Sequence, residues 1–376
     1  MIGQLSKLGS RSRIRTPWLH CGWWAVILSA TQLGCHRPFQ FEMRSPMKVA
    51  MLTPLRMSGE VTTRNPPDNR AAPIVGRFVA GNANTSPCHF GIAVIDVDGV
   101  LLNRNYGGFG SMGENPLALF REKLNAARQD TRAQAVVLRI NSPGGSVTAT
   151  DIMRQELTRF RQQTGLPVIA CIMDTGTGGA YYLATACDAI IAHPTSLVGA
   201  VGVILNLYNM EDTLQQFNIT PQSIRAGQRV DAGSPVRPMT DEEQEMLRRI
   251  AEQFHQRFID AVLEGRPGYL GRPEVDFDGQ VFTSQQALRN GLIDQIGYLD
   301  DAIALAAGTS DRPDPNPQVL LYRRENDRAN TPYDITPNVP QESGIFPMSL
   351  PGLERARLPM FLYMWQLDPT LERVGG

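Results

Sequence analysis

The run Asn141-Ser142-Pro143-Gly144-Gly145-Ser146 combines residue types that can do chemistry without a reactive side chain. Proline stiffens the turn, and two glycines permit backbone conformations and close approaches that a Cβ would forbid. Such a turn can aim the amide N–H groups of Gly144 and Gly145 at one oxygen, the electrostatic device of an oxyanion hole. Pro-Gly-Gly turns also serve as plain connectors, so the motif alone leaves both readings open. Metal chemistry finds little support: the five cysteines form no C-x-x-C pair and no Cys/His cluster. No cofactor is expected.

The surrounding pattern supplies elements to hold that turn. Gly91 to Val97 is a short apolar run rich in β-branched residues and bounded by Asp98-Gly99, which predicts a buried strand. A glycine-rich loop (Gly107, Gly108, Gly110, Gly113) and a helix from Pro116 to Arg128 follow, the helix with Leu117, Phe120, Leu124 and Ala127 on one face. Ala135 to Ile140 predicts a second buried strand that runs straight into the Pro-Gly-Gly turn. Next come a helix through Gln163, a strand from Pro167 to Met173, a helix from Gly178 to Cys187 and a strand from Ala189 to Ala192. Alternating strands and helices call for an α/β domain with parallel strands. Thr240 with Glu243 forms a capping box for a long helix carrying Leu247, Ile250, Phe254, Phe258 and Val262, stopped by Gly265 and Pro267. Val281 to Ala306 adds a strand and two short helices.

Pro167-Val-Ile-Ala170, Asp174, Gly179, Tyr181-Tyr182, Asp188, Ala192-His-Pro194 and Gly199-Ala-Val-Gly202 together resemble the signal peptide peptidase A (protease IV) family. Gly227, Asp231-Ala-Gly-Ser-Pro235, Arg237-Pro-Met-Thr-Asp-Glu-Glu243, Gly279 to Phe282 and Ala287 to Ile296 continue the resemblance, which covers residues 90–306 in order. It implies the spiral, mainly parallel α/β fold of Clp protease and crotonase in a single core domain. It also implies an oligomer, membrane-associated and facing the exported side, that acts on peptide or unfolded polypeptide. The family's mechanism needs a serine nucleophile at a helix N-terminus and a lysine base whose pKa burial has lowered. The family's Ala-Ser-Gly-Gly-Tyr-Tyr segment aligns on Thr177 to Tyr182, which puts Gly178 where the serine belongs. The lysine position aligns on Val230. Glycine has no side chain and valine cannot exchange a proton, so the resemblance implies a member without its dyad. Gly144, Gly145 and Gly179 would remain as an oxyanion or peptide-binding frame.

Thr177 carries a hydroxyl one position before the expected serine and is the candidate substitute nucleophile. Arg225 and Arg229 lie close to Val230, but a guanidinium stays protonated and makes a poor base. His89, His193 and His255 are read as structural or exposed. The expected function is therefore a pseudoprotease that binds peptides or assembles with active relatives. One alternative is an active serine-type endopeptidase that degrades signal peptides or exported polypeptides through Thr177. The other is a crotonase-type acyl-CoA enzyme, with Asp174 as its one candidate acidic group.

The flanks differ from this body. No acidic residue occurs from Met1 to Phe41, and Lys7, Arg11, Arg13 and Arg15 precede an apolar run from Trp18 to Ala30 that leads to Leu33-Gly34-Cys35. That is the pattern of an export signal over residues 1–35, and Cys35 stands where a bacterial lipoprotein is acylated. The run is too short for a membrane span, which needs about 20 apolar residues. Residues 36–89 read as a linker with one short strand near Pro73 to Val79, and 307–343 as a proline-rich connector. Residues 344–376 read as an apolar aromatic tail with Phe361, Tyr363 and Trp365, packing on its own body or a neighbouring subunit's. With 36 Lys+Arg against 37 Asp+Glu, nothing in the charge suggests nucleic acid. A homo-oligomer anchored through its N-terminus on the periplasmic or cell-envelope side is expected. Mass spectrometry of the mature N-terminus checks the anchor: diacylglyceryl-Cys35 is the expected start, and a chain beginning at Met1 would remove the export reading.

Overall fold

The computed structural model describes residues 44–48, 58–62, 72–80, 91–105, 114–310, 317–325, 327, 330–335 and 360–365. The export signal with Cys35, the glycine-rich loop at 107–113, Cys88 and His89 lie outside the described residues. A first unit, Met1–Pro66, holds an antiparallel strand pair, Arg44–Lys48 (β1) and Ser58–Thr62 (β2). Everything else belongs to a second unit, Pro67–Gly376.

In that unit the strands are Ile74–Ala80 (β3), Gly91–Asp98 (β4), Ala133–Ser142 (β5), Gly144–Ser146 (β6), Val168–Thr177 (β7), Ala189–Ala192 (β8), Leu197–Gly199 (β9), Val281–Thr283 (β10), Gln295–Ile296 (β11), Gln318–Arg324 (β12) and Leu362–Met364 (β13). The helices are Pro116–Gln129 (α1), Val147–Thr164 (α2), Gly179–Ala184 (α3), Glu211–Gln216 (α4), Asp241–Gly265 (α5), Pro273–Asp276 (α6), Ser284–Asn290 (α7) and Leu299–Thr309 (α8). A nine-stranded sheet runs β10-β9-β7-β5-β4-β12-β3, with β8 and β11 branching from β7. The β12-β4-β5-β7 pairs are parallel, and β10 and β3 close the two edges antiparallel. The protein is α/β, as expected.

Burial on both faces explains the near-continuous apolar runs of the central strands. On β4, Ala93, Ile95 and Val97 pack with Phe120 and Leu124 of α1 and Met153 and Leu157 of α2. Ile92 and Val94 face the other way, onto Leu299, Ala302 and Ile303 of α8. Each Val, Leu, Ile, Met or Phe among them, fully buried, contributes about 1.5–3 kcal/mol. Local signals set the helix ends. Asn115 Oδ1 accepts from the amides of Leu117 and Ala118 at the start of α1, with Pro116 at the first helical position. The Thr240–Glu243 capping box opens α5 as the sequence predicts. α2 ends at Gly165, whose φ of 68° is the left-handed cap that glycine adopts without strain.

Three expectations need correction. The α/β body extends past both ends of residues 90–306: β3 lies within the supposed 36–89 linker and β12 within the supposed 307–343 connector. β12 is buried along its whole length and pairs with both β4 and β3. Proline content over a long window hid Gln318–Arg324, a proline-free segment whose partners are remote in sequence. β7 runs to Thr177 instead of Met173, and the helix after it is shorter than predicted. The polar stretch Asp174-Thr-Gly-Thr177 has no strand signature of its own, and β9 takes it up as Thr175 to Thr177 pair with Leu197 to Gly199.

Among the described residues, no helix is long and apolar enough to cross a membrane, and no cluster of His, Cys, Asp and Glu could hold a metal ion.

Charged groups are buried near the carboxyl ends of β4 and β5. Lys123 of α1 reaches Asp96 at 2.7 Å, and Arg139 lies 3.5 Å from Asp98. Burial, reinforced by the neighbouring Asp96 charge, pushes the Asp98 carboxyl up to about 6, and Arg139 and Lys123 only partly oppose it. Because the folded value lies above the ordinary 3.8, the folded chain binds this proton more tightly than the unfolded chain. The group's contribution to stability is therefore full below about pH 4 and declines as pH rises through about 6. Asp98→Asn should flatten the loss of stability over that window, read as urea midpoints; an unchanged pH slope would contradict the assignment.

Candidate functional site

β5 and β7 are parallel neighbours, so both deliver their carboxyl ends to the same side of the sheet. The crevice beyond those ends is where open α/β sheets bind ligands. β5 hands over at Ser142 to the Pro143 turn and β6, while β7 hands over at Thr177 to Gly178 and α3. Gly178 caps α3 with φ 53° and ψ −127°. Its amide donates to the Gly199 carbonyl (2.9 Å) and its carbonyl accepts from the Tyr182 amide (2.9 Å), which locks the bend between strand and helix. A residue with a side chain would hold that conformation only at a cost of about 1–3 kcal/mol.

The three glycines expected to frame a backbone-donor site come together around this bend. Gly144 has φ 105°, and a Cβ on it would stand 2.7 Å from the Gly179 nitrogen. Gly145 is clasped by Leu101: the Leu101 amide donates to the Gly144 carbonyl (2.8 Å), and the Ser146 amide donates to the Leu101 carbonyl (2.9 Å). Gly179 packs on Thr150, whose Cγ2 would lie 2.3 Å from an added Cβ.

A segment of the same chain, Phe361–Trp365, lies across this frame. β13 pairs antiparallel with β6, Leu362 opposite Ser146, Tyr363 opposite Gly145 and Met364 opposite Gly144. The Val147 amide donates to the Phe361 carbonyl and the Trp365 amide to the Pro143 carbonyl, both at 3.2 Å. Since alternate pairs of an antiparallel ladder are hydrogen-bonded, Tyr363 and Gly145 form the bonded pair between them. On the other edge, the Ile204 amide donates to the Leu362 carbonyl (3.0 Å) and the Leu362 amide to the Ile204 carbonyl (2.9 Å). The segment is thus held as an inserted strand between β6 and Ile204. Its Tyr363 carbonyl points at the bend: a Cβ on Gly178 would stand 2.3 Å from that oxygen and 2.6 Å from its carbon. Ordinary contact begins near 3.4 Å, so the segment fills space that any side chain at 178 would need.

Residues 160–311 match the model of the family described as Peptidase family S49. That match, together with the relatives below, supports the signal peptide peptidase A family. Among curated relatives, Protease 4 of Salmonella typhi is 31% identical over 216 residues, which is 57% of this chain and 34% of that protein. The chloroplastic serine protease SPPA of Arabidopsis thaliana is 31% identical over 193 residues, 51% of this chain and 28% of that protein. The chain therefore spans about a third of the length of these relatives. A solved membrane-bound stomatin-specific protease covers 62% of this chain and 97% of its own at 15% identity and a TM-score of 0.39, too remote to bear on the site.

The candidate residues named from sequence do not all meet. Gly144, Gly145, Gly178 and Gly179 do. Val230 stands 68% exposed in the loop before α5, while the nearest atoms to Gly178 belong to Tyr363 and Met364. That loop is well tied: Asp231 bonds Arg225 (2.6 Å) and Arg237 (2.8 Å), and Arg237 also bonds Glu243 (2.5 Å). Hydrogen bonds from Arg237 and then Arg225 hold the Asp231 carboxyl well below its usual range. Thr177 is fully buried at the end of β7, and among the described residues its Oγ1 meets no hydrogen-bond partner, a base included. His193 contacts Thr195 and packs edge-on to Tyr298, and His255 Nε2 meets the Val201 carbonyl at 3.1 Å. Asp174 is exposed and accepts from Asn141 Nδ2 at 3.3 Å.

Sequence reasoning missed Ile204, which has no motif, and the role of Phe254 and Phe258. The spacing of the last two marks them as core positions of α5 and says only that they share a helix face. Gly178→Ala should cost about 1–3 kcal/mol through the left-handed φ, read by urea unfolding. It should also strip hydrogen-exchange protection from the Leu362 and Ile204 amides; intact protection would show that the strand tolerates a side chain at 178.

Proposed function

We propose that this chain is a non-catalytic member of its family that holds extended peptide or unfolded polypeptide in the former active-site groove and assembles with copies of itself or with active relatives. In this reading it is exported and anchored through its N-terminus, with Cys35 as the lipid attachment point. The observation that carries it is the inserted strand: Phe361–Trp365 is held in extended form by main-chain hydrogen bonds to β6 and Ile204, and the residue at the bend beside it is glycine. Binding by strand addition draws affinity from main-chain hydrogen bonds and needs no nucleophile. Valine at 230, like glycine at 178, can take no part in proton transfer.

Assembly is supported by the stretch from Ile204 to Met239. Tyr208, Phe217, Ile219, Ile224 and Val230 are exposed there, and α4 within it buries no residue. Apolar side chains gathered on one exposed segment mark an interaction surface.

The purified chain should neither cleave unfolded casein nor take up a fluorophosphonate probe. Turnover that Thr177→Ala abolishes would overturn the reading in favour of a shifted nucleophile. Gly178→Ser combined with Val230→Lys should give weak peptidase activity at most, because the serine must first push the Tyr363 carbonyl aside.

A further inference from the structure

The side chain of Tyr363 descends from the inserted strand into a closed aromatic pocket and is fully buried. Its ring centroid lies 4.7 Å from that of Phe258 and 5.3 Å from that of Tyr182. Its hydroxyl donates to the Phe254 carbonyl at 2.5 Å. The walls are themselves held in place. Tyr182 donates to Asp151 (2.7 Å), Arg257 bonds the same carboxylate (2.7 Å), and the Arg154 guanidinium sits 5.4 Å above the Tyr182 ring. Phe361 packs edge-on to Phe254 with centroids 5.2 Å apart, so a second aromatic of the segment covers the rim.

This geometry asks for one side chain. An aliphatic residue would leave part of the pocket empty and forfeit the ring contacts. A charged residue would give up its hydration among the rings of Phe258 and Tyr182. Phenylalanine would fill the space but lose the hydrogen bond to Phe254. Burial also raises the Tyr363 hydroxyl well above its ordinary pKa, so it remains a donor at any physiological pH.

We propose that the groove is a tyrosine-reading peptide site, that Phe361–Trp365 is its resident ligand, and that incoming polypeptide must displace this segment by presenting an extended apolar stretch with tyrosine at the position of Tyr363. The proposal rests on the reading of the groove as a polypeptide site and adds what the groove selects. A ligand tethered in the same chain acts at an effective concentration of order millimolar, so the resident segment masks the groove from weak competitors. Segments that match it are the ones that gain entry.

The test uses the full chain and a fluorescein-labelled Phe-Leu-Tyr-Met-Trp peptide, followed by fluorescence anisotropy. Tyr363→Ala, which weakens the resident segment, should bind the peptide at least about tenfold more tightly than the unaltered chain. On that variant, phenylalanine in place of the peptide's tyrosine should weaken binding about fivefold, the worth of one hydrogen bond. Alanine there should weaken it about a hundredfold or more. Equal affinity for all three peptides would overturn the tyrosine reading and leave a general polypeptide groove. No binding of any peptide to a Tyr363→Ala chain that unfolds cooperatively would overturn both. Should Tyr363→Ala fail to fold, Tyr363→Phe keeps the ring and drops only the hydroxyl; it should bind the tyrosine peptide a few-fold more tightly than the unaltered chain, and equal affinity would overturn the proposal.

Discussion

The parallel pairing of β5 with β7 is the constraint on which the groove depends. Val136 to Ile140 run beside Val168 to Ile172 in register, and the ladder then shifts, so that Ser142 meets Gly176. β7 takes a longer path than β5 over that interval. The shift lets β7 leave β8 as its outer neighbour and take β9 instead. Without it, the bend at Gly178 and the turn at Gly144 would emerge out of step, and the two backbones could not meet across Gly179. Both strands are buried on both faces, which makes the register costly to slip.

Position 178 then faces two independent demands. The chain must turn from strand into helix with a positive φ, and the Tyr363 carbonyl must fit against the turn. A serine could bear the first at some strain, as residues at active sites do. It could not meet the second, because its Cβ would overlap the carbonyl. Glycine meets both. The absent side chain and the occupied groove are thus two sides of one packing arrangement, which gives the glycine a physical role of its own.

The loop that carries Val230 follows a different logic. Asp231, Arg225, Arg237 and Glu243 tie it into an ion-pair network at the N-terminal end of α5, beside the Thr240 capping box. That network orders the backbone whatever residue stands at 230. Val230 itself makes no use of it and projects into solvent within an exposed apolar stretch.

Local chemistry made much of this legible in the sequence. Apolar β-branched runs mark β4, β5 and β7, the Thr240–Glu243 box marks α5, and the glycines at 144, 145, 178 and 179 announce close backbone approach, because each of these signals arises from neighbours a few residues apart. The buried strand Gln318–Arg324 and the inserted strand Leu362–Met364 gave no such signal. Short apolar segments of that kind are strands only when partners more than two hundred residues away offer them a free edge. The composition of Phe361–Trp365 marks it as an aromatic tail. That it becomes the occupant of the groove follows from the spacing between β6 and Ile204, from the pocket that Tyr182, Phe254 and Phe258 close, and from the room left at Gly178, all set by long-range packing.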